Sequence, residues 1–191
     1  MMAMRGIRRA ALLAVLLASP ALHAAEVAGV AVADQLKVAG GDLVLNGAGL
    51  RSKVFFKVYV GALYVSQKSA AAEAVIDSGQ PRRMRLHMLR DLDADSFYAA
   101  LDEGLRNNHS AAQLAELKPQ SDQLAALMRG FGKVRESEVI DIDFTGDGIV
   151  LARNGSIAGK VAGAAIGRAL LRVWLGEKPA DAGLKKALLG S

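Results

Sequence analysis

Residues 45–65, LNGAGLRSKVFFKVYVGALYV, decide how the chain is read. Val54, Phe56, Val58, Val60, Ala62 and Tyr64 form an apolar series of period two, and the other parity carries Arg51, Lys53, Phe55, Lys57 and Tyr59. Successive side chains of a strand point to opposite faces, so this alternation describes strands with one face in a core. The even-numbered side is the expected core face. Gly47 and Gly49 read as a tight turn, because glycine reaches backbone conformations closed to other residues. That turn would deliver Arg51 into the start of the apolar strand, and Gly61 would mark a bend or bulge. A guanidinium stays charged at ordinary pH and is costly to bury without an anionic or carbonyl partner. Arg51 is therefore either a solvated residue or a fixed cation aimed at something the protein binds. Tyr59 shares its strand face and is a second polar contact.

Upstream, MMAMRGIRRAALLAVLLASPALHAAEV opens with Arg5, Arg8 and Arg9, continues with an apolar run over residues 10–18, and closes on small residues at Ala24 and Ala25. This is the layout of a secretory signal peptide, and the apolar run is too short to span a bilayer. Residues 1–24 are read as that signal and residues 25–191 as one domain bound for the periplasm, with no stable membrane span after cleavage. The whole chain carries 24 basic and 19 acidic residues. Removing the leader's three arginines leaves 21 against 19, a net charge of +2, so the basic balance gives no support to nucleic-acid binding. Cysteine is absent, which excludes thiol catalysis and cysteine metal sites and leaves the fold to its hydrophobic core.

Short strands are expected at residues 27–30, 36–38 and 43–45, followed by the alternating segment at residues 50–65. An Ala-rich helix fits residues 69–77, and RRMRLHMLR a strand with Met84, Leu86 and Met88 inward and Arg83, Arg85 and His87 opposite. Asp93 or Asp95 caps a helix running to about Arg106. Two helical pieces follow at residues 111–117 and 119–129. EVIDIDFTGDGIVLARNG reads as a hairpin with Ile140, Ile142 and Phe144 inward and Asp141 and Asp143 outward. A strand at residues 156–161 and helices at residues 162–175 and 180–189 complete an α+β order.

Several motifs yield no site. Asp91, Asp93 and Asp95 lack the glycine and bidentate glutamate of a calcium loop, and carboxylates at a helix start suit the helix dipole. Gly159, Gly163 and Gly167 sit at four-residue spacing, but Arg168 and Arg172 interrupt the run, so close packing on a sheet explains them. His87 and His109 are too few for a histidine metal site, and no metal or other cofactor is expected. His87 reads as a structural residue, with haem ligation the competing role. Trp174 and Tyr98 read as packing residues.

NGAGLRSK followed by FFKVYVGALYV resembles the chalcone isomerase superfamily, and LHMLRDLDADSFYAALDEGLRNNH and VWLGEKPADAGLKKALLG are similar to its exported bacterial chalcone isomerase-like group. The resemblance runs over nearly the whole chain beyond the leader. It implies an open-faced β-sandwich, a large antiparallel sheet with helices layered on it and a ligand cleft between them. In the plant enzymes an arginine in this stretch holds the substrate's developing negative charge, and Arg51 matches it; such electrostatic stabilisation is often the largest catalytic contribution. The partners of that arginine do not match. Tyr59 stands where those enzymes have a threonine, Phe97 at a tyrosine, Ala100 at a lysine and Gly104 at an asparagine, so chalcone cyclisation is not expected.

The superfamily also holds non-catalytic fatty-acid binders and haem-associated members. The leading expectation is a periplasmic binding protein for a small lipophilic or carboxylate ligand, with Arg51, Tyr59, Phe97, Ala100 and Gly104 as ligand-binding positions. The alternative is an isomerase or intramolecular lyase acting on an enone, with Arg51 and Tyr59 catalytic. A structural or interaction protein with a vestigial cleft is the third reading. The leader predicts a mature N-terminus at Ala25 or Glu26. Intact-mass measurement of protein purified from its own cell should find that species in the periplasm, and a full-length cytosolic product would refute the reading.

Overall fold

The structure, a computed structural model, describes residues 24–38 and 40–190; the expected signal peptide lies outside the described residues apart from Ala24. The chain begins with β1 (Ala24–Val27), β2 (Val30–Ala33), β3 (Gln35–Val38), β4 (Gly41–Lys53) and β5 (Phe56–Val65). Then come α1 (Ala72–Asp77), β6 (Arg82–Met88), β7 (Leu92–Asp93), α2 (Ala94–Asn108), α3 (Ala111–Arg129) and β8 (Lys133–Val134). The last elements are β9 (Val139–Thr145), β10 (Gly148–Arg153), β11 (Ser156–Ala162), α4 (Ala164–Leu175) and α5 (Ala182–Leu188).

Seven strands form one antiparallel sheet in the order β11-β10-β9-β6-β5-β4-β3. The helices cover one face, where Leu63, Met84, Leu86, Ile142 and Phe144 meet Leu105, Leu124, Leu170 and Trp174 in the main core. The β1–β2 hairpin covers part of the other face, where Val32, Val38, Leu43, Val60, Ala62 and Tyr64 form a second, smaller core. The Tyr64 hydroxyl donates to the Ala33 carbonyl at 2.9 Å and ties the hairpin down. This is the expected α+β open-faced sandwich.

Three expectations fail here for related reasons. Val60, Ala62 and Tyr64 of β5 face the hairpin, and the helix-side core takes Val58, Tyr59, Leu63 and Val65. Both faces of β5 are buried, so alternation alone did not say which side the helices occupy. Nor are Gly47 and Gly49 a turn: they lie inside β4, with Gly47 opposite Leu63 and Gly49 opposite Gly61. Helix α5 lies on them. A Cβ on Gly47 would overlap the Ala187 carbonyl oxygen, and one on Gly49 would come within 2.6 Å of the Ala187 Cβ. Gly61 is likewise not a bend but part of the floor beneath Leu184, whose Cδ1 a Cβ there would meet at 3.4 Å. These glycines are present for close approach of a helix backbone to a strand.

Smaller revisions follow the same logic. Residues 27–30 are not one strand, because Ala28 (φ 51°) and Gly29 (φ 85°) make the two-residue turn between β1 and β2. Helix α3 runs unbroken through Pro119, an exposed position where the lost backbone donor leaves a carbonyl free to reach water. Asp93 is the residue that caps α2, accepting from the Ser96 N–H at 2.8 Å, while Asp95 pairs with Arg129 and Asp91 with Lys133. The hairpin of β9 and β10 forms as read from the sequence.

The seating of α5 makes a stability prediction. Gly49→Ala should cost about 1–3 kcal/mol, the usual penalty for overpacking. Ala187→Gly should cost about 1 kcal/mol as a glycine inside a helix. Because the two methyl groups would collide with each other, the double variant should lose less than the sum, by a coupling that urea denaturation resolves. Strict additivity would mean that α5 does not rest on this rung.

Candidate functional site

The next rung of the β4–β5 pair beyond the glycines is Arg51 opposite Tyr59. Helix α5 begins beside this rung, and its N-cap Asp181 is committed to backbone groups: Oδ1 accepts from the Leu184 N–H at 2.8 Å and Oδ2 from the Ser52 N–H at 3.4 Å. Arg51 lies with its guanidinium carbon 5.7 Å from the centre of the Tyr59 ring, within cation–π range. Its Nε is buried without a hydrogen-bond partner.

Arg82 Nε is likewise buried without a partner, but Arg51 differs in that no nitrogen of its guanidinium donates to a protein acceptor among the described residues. Among the described residues, the other arginines that are at least partly buried all have acceptors. Arg83 and Arg85 grip Asp143 and Asp141, each through two nitrogens. Arg82 donates to the Val75 and Ile76 carbonyls, Arg153 to Glu138 and two carbonyls, and Arg172 to Glu73. Leaving a buried donor unmade costs roughly 1–3 kcal/mol, more when it is charged.

Tyr59 is 4% exposed, and its phenolic oxygen accepts from the Trp174 indole N–H at 2.8 Å. Indole only donates, so this bond uses the oxygen and leaves the Tyr59 proton with no acceptor among the described residues. Burial pushes the Tyr59 pKa up to about 12; the Arg51 cation and the Trp174 donor pull it down, and the Asp181 carboxylate adds a smaller upward push. The phenol is thus a fixed, neutral donor at physiological pH.

Arg51 and Tyr59 line a cleft of about 410 Å³ between the sheet and α2, a volume within the usual range for small-molecule sites. Val58, Leu92, Phe97, Ala100, Leu101 and Val173 supply apolar wall, while Lys53, Val54, Phe56 and Arg90 also contribute to the lining. Of the expected positions, Arg51, Tyr59, Phe97 and Ala100 come together here. Gly104 does not line this cleft; it lies where α2 meets α4, and a Cβ there would come within 2.6 Å of a Val173 methyl. His87 is opposite Val60 in the register, on the sheet face away from the cleft, so it cannot reach this site. Sequence reading missed Trp174 as the group that fixes Tyr59, because the two are 115 residues apart and share no pattern. A larger hollow of about 710 Å³ lies among α2, α3 and α4, but its lining is mostly polar and its Arg172 is already paired.

Residues 24–190 match the profile of the chalcone isomerase-like family. The chain belongs to that family. Among solved structures, it is similar to an Arabidopsis thaliana fatty-acid binding protein, with a TM-score of 0.66, 16% identity, and coverage of 84% of this chain and 92% of that one. At that identity the likeness is one of fold. No curated protein matches the sequence.

The raised Tyr59 pKa has a consequence at alkaline pH. An unfolded tyrosine ionises near ~10, so between about 10 and 12 the folded state keeps a proton that the unfolded state has lost. The stabilisation is complete below pH ~10 and disappears as pH rises through the folded value. Urea midpoints across this window should fall more steeply for the wild type than for Tyr59→Phe. Parallel curves would show that Tyr59 titrates like a solvated phenol.

Proposed function

We propose that this protein binds a small lipophilic acid of the fatty-acid type in the periplasm, with the ligand carboxylate on Arg51 and the tail along the apolar wall of the cleft. The observation that carries this reading is Arg51, its Nε buried without a partner, where every other arginine at least partly buried among the described residues has an acceptor. A carboxylate supplies the missing acceptor and matches the planar fork of the guanidinium. The uncommitted Tyr59 proton offers it a second hydrogen bond from the same rung. That a protein of similar fold is a fatty-acid binding protein supports the ligand class. The periplasmic assignment rests on the character of residues 1–24.

The same two donors suit the enone reading, in which Arg51 polarises a carbonyl and Tyr59 gives up its proton. A phenol held near 12 is poorly matched to that task, because efficient general acids have a pKa near the working pH. Binding without turnover is the better account. Native mass spectrometry of the protein from its own periplasm separates an occupied cleft from a vestigial one.

Arg51→Ala should weaken binding about ten- to a hundredfold, the worth of a charge-assisted hydrogen bond of roughly 1.5–3 kcal/mol. Arg51→Lys should recover part of this, since a point charge cannot reproduce bidentate geometry. Without ligand, Arg51→Ala should melt at or above the wild-type temperature, because the orphaned donor is gone. Calorimetric titration with a fatty-acid series, paired with thermal melts, measures both. Unchanged affinity in Arg51→Ala would end the anchor reading.

A further inference from the structure

The hairpin that carries Arg51 ends in a two-residue connection, Val54-Phe55, because Lys53 pairs with Phe56. Such connections favour Gly, Asn or Asp where φ is positive. Here Val54 holds φ 58°, a conformation in which a β-branched residue is strained. The tip is also bare. Val54, Phe55 and Phe56 are 79%, 93% and 60% exposed, three consecutive apolar residues in water.

Cations ring this tip. Lys53 and Lys57 flank it in sequence, and Arg90 lies over the Phe56 ring at 4.8 Å. All three are exposed, none forms an ion pair among the described residues, and residues 51–57 contain no acid. Lys53, Val54, Phe56 and Arg90 also line the cleft, so the tip and the cleft form one continuous surface.

We propose that this tip docks on an anionic membrane, with Phe55 and its apolar neighbours entering the headgroup region, Lys53, Lys57 and Arg90 on lipid phosphates, and the cleft opening toward the bilayer. A hairpin end is narrow and convex, and offers far less than the roughly 800 Å² per partner that a stable protein interface buries. Interfacial insertion needs only apolar side chains at the boundary and cations behind them. Strain at Val54 is the cost of keeping apolar residues where a turn would otherwise hold glycine. Docking stands apart from the ligand reading. Exchange of a lipophilic acid through the cleft mouth rests on that reading.

Flotation with phosphatidylglycerol–phosphatidylethanolamine vesicles, against phosphatidylcholine vesicles, tests the proposal. Wild type and variants are purified in the same N-terminal form, fixed by mass, so that differences belong to the tip. Wild type should favour the anionic vesicles, in a salt-sensitive manner. Phe55→Ser should lose at least tenfold, roughly the worth of burying one large apolar side chain. Lys57→Glu should lose about fivefold or more on anionic vesicles, since each basic residue near such a surface contributes about that much. Neither residue lines the cleft, so laurate affinity and thermal stability should hold in both. Equal binding of wild type and Phe55→Ser, or equal binding to both vesicle types, overturns the proposal. So does a wild-type dimer in sedimentation velocity that Phe55→Ser converts to monomer, because a second copy would then cover the tip. Laurate titration reports the ligand reading separately, and its failure alone leaves the docking result standing.

Discussion

Helix α5 rests directly on β4 and β5 because Gly47, Gly49 and Gly61 leave it no side chains to climb over. The arrangement depends on the first of two irregularities in the β4–β5 ladder. Leu45 pairs with Tyr64, but Gly47 pairs with Leu63, so Asn46 is an extra residue in the ladder. A one-residue shift changes the face on which every later side chain points. Before the bulge, Leu45 packs on the hairpin side; after it, the glycines and Arg51 face the helices. Asn46 is then held by the element it admits, donating to the Leu188 carbonyl at 2.7 Å at the end of α5 and exchanging bonds with Ser69. The bulge, the glycines and the helix place Arg51 as the first large side chain beyond the helix start.

The two faces of the sheet treat charge in opposite ways. On the hairpin side, Arg83 and Arg85 of β6 stand opposite Asp143 and Asp141 of β9 in the register, and each pair is bidentate. Asp141 is only 4% exposed in its side chain, yet it accepts from Arg85 and lies 3.3 Å from Arg83. The Asp143 and Asp141 partners hold Arg83 and Arg85 more firmly in their charged forms, against the burial that opposes it. A buried ion pair of this quality is close to neutral for stability, and breaking it would be costly. On the helix side, Arg51 meets an aromatic ring and apolar walls instead of a carboxylate. The fold is able to pair its arginines, and this one is left open.

Much of this was legible in the sequence, and what was not has physical causes. Composition and element order gave the α+β class, the β9–β10 hairpin and the cap at the start of α2, because these rest on local rules. Arg51 and Tyr59 do share a sheet face, but not by parity along one strand: they lie on β4 and β5, the hairpin between them reverses the parity, and the extra residue Val58 restores it. The glycines were misread because a turn and a close helix contact ask for the same residue, and only the contact with Ala187, far along the chain, separates them. The covered face of β5 was misassigned because both of its faces are buried. The Tyr59–Trp174 bond joins elements with no shared periodicity, so no local pattern could announce it.

Departures from local rules occur elsewhere in this protein, as at Pro119 inside α3 and the unpartnered Arg82 Nε and Gln120 Oε1, but several of them meet in one hairpin. The starts of α2, α5 and α3 are capped by Asp93, Asp181 and, in a full capping box, Ser110 with Gln113, whereas α1 and α4 have no side-chain cap. Positive φ at non-glycine positions falls on Asn154, Ser137 and Ala28, and on one β-branched residue, Val54. That residue sits in the same hairpin as the orphaned Arg51 Nε and the bare Phe55. Strain, an unmet buried donor and exposed aromatic surface each oppose stability, and nothing in the packing of β4 against β5 requires any of them. Where several such departures coincide at one place, function is the expected reason for their being kept. Here the violations mark the base and the rim of a single cleft.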